Sequence, residues 1–117
     1  MEISDASRNS NFGKGSLQCD TGHFFGNTWY RFVPPAGTQM SEQPIPANHC
    51  GTEMTGWING THPSNNGEIV KRNICFVNLW NKNTCWRSVS VEIQSCGSFY
   101  LYKLPNPPNC VSRYCAV

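Results

Sequence analysis

The chain has 117 residues, seven cysteines, 14% charged residues and a net charge of +2, which bounds it to one small domain of the kind that disulfides stabilise in an oxidising compartment. Its nine Lys and Arg are scattered, which excludes a basic surface for nucleic acid, and no run approaches the roughly 18 apolar residues of a membrane span. Met1 to Ala6 has neither the basic start nor the apolar stretch of a signal peptide, so a secreted form is expected to be an excised piece of a longer chain.

Residues 1–18 are rich in Ser, Asn, Gly and charge without a helical or alternating period, and read as a flexible N-terminal arm or linker. Order is expected from Cys19-Asp20 onward, so that residues 19–117 form the domain. Trp29 to Val33 alternates as a half-buried strand does, and Pro34-Pro35 ends it. Ala36 to Asn48 has no period and reads as a surface loop pinned by Cys50. Trp57-Ile58 and Glu68 to Arg72 are short strand candidates, with Ser64-Asn65-Asn66-Gly67 as a turn between them.

Ser88 to Gln94 alternates without a break, and Phe99 to Leu104 is a second β-prone run, so a hairpin of Val89–Gln94 with Phe99–Leu104 is predicted around Gly97-Ser98. Pairing Gln94 with Phe99 places Val89, Val91 and Ile93 on one face with Tyr100, Tyr102 and Leu104. Pro105, Pro107 and Pro108 stop the second strand. The fold class is therefore a small, disulfide-rich, β-rich domain with long loops.

Asn59-Gly60-Thr61 is an N-glycosylation sequon on a dipeptide that turns easily, and Asn59 is the candidate acceptor. No Cys-x-x-Cys or other ligand spacing marks a metal site, and no cofactor is expected. His49 beside Cys50 invites a nucleophile-and-base reading, but neighbours on an extended chain point to opposite faces and a disulfide sulfur is no nucleophile. Asp20, Glu42, Glu53, Glu68 and Glu92 form no catalytic motif, and no enzyme activity is expected. Among the four tryptophans, Trp29 and Trp57 are expected in the core. Trp80 and Trp86, with Asn78, Asn81 and Asn83, offer an alternative reading as a lectin-like or receptor-binding surface.

The order and spacing of Cys19-Asp20-Thr21, Trp29 to Val33, Cys50, Trp57-Ile58-Asn59-Gly60-Thr61-His62-Pro63, Cys75, Cys85-Trp86, Val91 to Cys96, Tyr100 to Leu104, Cys110 and Tyr114-Cys115 resemble one family. It is the cysteine-rich extracellular domain shared by uromodulin, the pancreatic zymogen-granule membrane glycoprotein and a liver-specific zona-pellucida protein. The resemblance implies a non-catalytic, structural and glycan-bearing module of a secreted or membrane-anchored mosaic adhesion, matrix or mucosal glycoprotein, with glycans or extracellular proteins as partners. It also implies the pairs Cys19–Cys110, Cys50–Cys115 and Cys75–Cys85, the first of which closes a loop worth about 4 to 5 kcal/mol in the chain-entropy account.

Three departures from the family pattern stand out. Pro44 and Thr84 occupy positions where relatives carry a further cysteine pair. Lys103-Leu104-Pro105 replaces a second sequon, which removes the glycan that in relatives serves as a decoy for bacterial fimbriae. The family partner of Cys96 lies upstream of Cys19, where this chain has no cysteine, so Cys96 is expected to be unpaired or to link a disulfide-bonded dimer.

Overall fold

The computed structural model describes residues 1–15, 17–78, 83–108 and 110–117. Seven strands form one mixed sheet: β1 (Glu2–Ile3), β2 (Trp29–Phe32), β3 (Met54–Asn59), β4 (Ile69–Phe76), β5 (Arg87–Ser95), β6 (Tyr100–Lys103) and β7 (Ser112–Tyr114), in the order β1-β2-β6-β5-β4-β3-β7. The four inner pairings are antiparallel, whereas the edge pairs β1–β2 and β3–β7 are parallel. The sole helical element among the described residues is a 3-10 turn at Ala6–Arg8.

Alternation along the strands separates two faces. Ile58, Ile74, Phe76, Val91, Ile93, Tyr102 and Tyr114 point to one side and are covered there by Phe24, Met40 and Ala116 from loops and the C-terminal end. Ring edges meet ring faces in this core, as at Phe24–Tyr114 and Phe32–Tyr102. The opposite face carries Ser88, Ser90, Glu92 and Gln94 of β5, Lys71 and Asn73 of β4, and Lys103 of β6, and is open to solvent over much of its width. Only toward β3 is it covered, where Trp57, Cys75 and Val77 form a small buried cluster against Ala47.

The β5–β6 hairpin forms with its two faces as predicted but in a register two residues away: Ile93 faces Tyr102 and Gln94 faces Leu101, not Phe99. Cys96 N–H donates to the Phe99 carbonyl, so Gly97-Ser98 is a two-residue turn, and Gly97 supplies the positive φ (82°) that its first position demands. A shift of two preserves side-chain facing, which is why the core set survives the correction. Other strands outrun their sequence signals. β4 continues to Phe76 and β3 begins at Met54, because each finds a neighbour along its whole length.

Residues 1–18 depart most from the sequence reading. They are not a loose arm: β1 pairs with β2, Ser7 and Arg8 are buried, and Asn9 bridges Ala116. Asp5 caps the 3-10 turn by accepting from Ser7 N–H at 2.9 Å, a bond that also holds its carboxyl below the usual carboxylate range. Arg8 then forks onto the buried Asp20, at 2.8 and 2.6 Å, while Asp20 also accepts from Tyr114 N–H. Arg113 runs through the same region, donating to Ser7 Oγ and the Cys50 carbonyl. These charges fasten a segment too polar to be held by apolar burial.

Candidate functional site

The sequon lies where β3 leaves the sheet. Asn59 is the last residue of β3, directly opposite Asn73, and Asn59, Gly60 and Thr61 are all exposed. Because Ile58 is fully buried in the core, Asn59 must project from the open face. Gly60 (φ 146°) passes so close to Arg72 that a Cβ would stand 2.8 Å from its Cδ, and Arg72 Nε donates to the Thr61 carbonyl at 2.9 Å. The acceptor amide is thus displayed at the end of a paired strand with the following backbone held in place.

One residue beyond, the chain dives inward. His62 is buried, with Nδ1 2.6 Å from Glu42 Oε2 and Nε2 2.7 Å from the Tyr102 hydroxyl, which accepts in turn from Met40 N–H at 3.0 Å. A carboxylate accepts only, so this network puts the ring proton on Nδ1 and leaves Nε2 to accept from the tyrosine. Sequence reading passed over His62, whose partners are 20 and 40 residues away. Its signal was its place directly after the sequon, followed by Pro63. Tyr102 is fully buried, and burial pushes its phenol well above the usual range, so this chain of groups is a structural pin without access for a substrate.

Burial holds the His62 pKa below its ordinary value of 6.5, with Glu42 opposing, and the bonds from His62 hold Glu42 below 4.5. Both are depressed on folding, so the unfolded chain binds more protons as acid is added. The stability contributed by His62 is complete above pH 6.5 and is lost as pH falls from there toward its folded-state pKa; that of Glu42 is lost below 4.5. The expected result is a melting temperature that declines between about pH 7 and pH 5, with a shallower decline in His62→Gln. An identical slope in the variant would remove His62 as the cause.

Three disulfides brace the sheet. Cys19 joins Cys110 (Cα separation 5.4 Å), Cys50 joins Cys115 (5.9 Å) and Cys75 joins Cys85 (4.7 Å), and Cys96 is free and half-buried beside the hairpin turn. Pro44 and Thr84 line a common, largely apolar cavity of about 420 Å³ together with Ile45, Ala47 and Val77. Of the alternative binding residues, Trp80 and Asn81 lie outside the described residues. Trp86 is half-buried and already has the Arg87 guanidinium 4.7 Å from its ring centre, so it is no open stacking platform. Asn78 is buried, and Asn83 turns its side-chain oxygen to Cys85 N–H at 3.0 Å. No group of three or more His, Cys, Asp or Glu placed to hold a metal occurs among the described residues, and none of their helices is long and apolar enough to cross a membrane.

Fold and site together define a disulfide-braced, single-sheet β module with an exposed sequon at one strand end. Residues 30–116 match the family described as the uromodulin-like cysteine-rich domain, and the chain belongs to it. It is 37% identical over 109 residues to mouse (Mus musculus) uromodulin, covering 92% of this chain and 16% of that protein. It is 37% identical over 115 residues to the dog (Canis lupus familiaris) pancreatic secretory granule membrane major glycoprotein GP2, covering 97% of this chain and 21% of that protein, and 34% identical over 111 residues to the human (Homo sapiens) protein of that name, covering 94% of this chain and 20% of that protein. The chain thus spans about a fifth or less of the length of these relatives.

Proposed function

We propose that the chain is a non-catalytic extracellular module that carries an N-glycan on Asn59 and serves as a rigid, disulfide-braced element of a larger glycoprotein. The observation that carries this reading is the contrast within four residues: Asn59, Gly60 and Thr61 stand in solvent while His62 is locked into the interior. A glycan needs that combination, an accessible amide on backbone that does not collapse onto the core. Membership of a family that includes proteins named as secretory granule membrane glycoproteins supports it.

Expressed through a secretory pathway, the protein is expected to lose mass on treatment with an amidase that removes N-glycans, and Asn59→Gln is expected to abolish the change. A wild-type mass equal to that of the bare polypeptide sinks the reading.

Cys96 is the proposed point of covalent pairing between copies. Its thiol is partly exposed beside a tight turn, and the other six cysteines are engaged. An accessible thiol of this kind oxidises slowly in air, so a disulfide-linked dimer is expected to accumulate with time and to vanish with reductant. Alkylation of the non-reduced monomer followed by peptide mapping is expected to label Cys96. Label on Cys19, Cys50 or Cys110 instead would refute the assignment.

A further inference from the structure

We propose that the open face of the sheet holds the inner sugars of the Asn59 glycan in a groove floored by Ser90 and Glu92 and flanked by Lys71 and Lys103, an inference that rests on Asn59 being the glycosylated residue. Strand register places these groups side by side. Asn59 faces Asn73, and Asn73 faces Ser90, so the three form one row across β3, β4 and β5. With strands about 4.8 Å apart, Ser90 is about 10 Å from the acceptor, and Lys71, two residues from Asn73 on the same face, is its diagonal neighbour at about 7 to 8 Å. The adjacent row runs Lys71, Glu92, Lys103 and Trp29, each opposite the next.

Between the two rows lies a cavity of about 260 Å³, walled at its far side by Gly26 and Pro105. Its chemistry suits sugar hydroxyls, which both donate and accept: the ammonium groups donate, the Glu92 carboxylate accepts, and the Ser90 hydroxyl does either. These groups are loosely engaged with one another. Lys103 Nζ stands 3.9 Å from Glu92 Oε2 with both side chains about a third exposed or more, and Lys71 makes no ion pair among the described residues. A carboxylate set between two lysines gives the groove mixed sign, which favours a neutral polyhydroxylic ligand over a free anion. Tethering at Asn59 keeps the sugars at an effective concentration of order millimolar, so weak contacts suffice to fill the groove.

The test uses the secreted glycoprotein, with Asn59 occupancy read from its mass, and measures acylation rates of individual lysines by peptide mass spectrometry. Lys71 and Lys103 are expected to react at least about threefold more slowly with the glycan present than in the enzymatically deglycosylated protein or in Asn59→Gln, the change given by a groove occupied about two-thirds of the time. The exposed Lys14 is expected to react at one rate throughout. Combining Ser90→Ala with Glu92→Ala is expected to erase the difference at Lys71 without changing the melting temperature of the deglycosylated protein. Equal Lys71 rates in a fully occupied glycoprotein overturn the groove and leave the Asn59 assignment standing, as does slowing that is the same at Lys14. An unmodified mass overturns both.

Discussion

Replacing Asp20 with Ala is expected to lower folding stability by about 3 to 5 kcal/mol, the range for removing one partner of a buried ion pair. Asp20 is 2% exposed, and its two oxygens take both ends of the Arg8 guanidinium and the Tyr114 amide. Arg113 Nε has no hydrogen-bond partner and lies 3.7 Å from the same carboxylate. Without Asp20, two guanidinium groups stay buried against one another, and Arg113, whose pKa burial and Arg8 already push down, keeps only the half-exposed Asp5 at 3.3 Å. The segment from Met1 to Ser10 is expected to loosen first, since Arg8 is its principal attachment to the domain. Denaturant unfolding gives the stability change, and limited proteolysis gives early cutting before Cys19. Asp5→Ala, which removes an exposed partner, is expected to cost at most about 1 kcal/mol beyond its capping role. A loss below about 1 kcal/mol for Asp20→Ala would show that the network contributes little net attraction.

The same network marks the limit of what the sequence revealed. Arg8 and Asp20 look like isolated polar residues, and their match appears only once the chain brings Tyr114 between them. β7 was illegible for a related reason: Ser112-Arg113-Tyr114 has no alternation, since all three are buried, and its parallel pairing with β3 is a long-range fact. β5 and β6 were legible because one face is buried and the other wet, which writes a period of two into the residues. Their register was not, because two candidate turns differ only in whether Gly97 opens or closes the loop, and its positive φ decides between them.

The candidate site divides in the same way. The Asn59 sequon is a local pattern and could be read directly. The residues that hold it in place are not local: Glu42 and Tyr102 reach His62 from 20 and 40 residues away, and the Lys71–Glu92–Lys103 row exists only across strand pairings. Trp29 was expected beside Trp57 in the core on composition alone. It is instead half-buried on the open face, with Lys103 Nζ 5.8 Å from its ring centre, because β2 directs its even-numbered Tyr30 and Phe32 inward.

That difference makes the two tryptophans a direct test of the layering. Trp57→Ala is expected to cost about 3 to 5 kcal/mol, as truncation of a buried Trp does. The side chain is 8% exposed, packs on Cys75, Val77 and Ala47, and its indole nitrogen donates to the Thr84 carbonyl at 2.8 Å. It therefore fills the covered end of the open face and also ties down the loop that carries Cys85. Trp57→Phe keeps most of the apolar volume and removes the hydrogen bond, so its cost is expected to be about 1 to 2 kcal/mol. Trp29→Ala leaves solvent, not a cavity, in place of much of the ring and is expected to cost roughly half of Trp57→Ala or less. Denaturant midpoints at constant slope measure all three. If Trp29→Ala proves as costly as Trp57→Ala, then β2 is more deeply covered than this sheet allows.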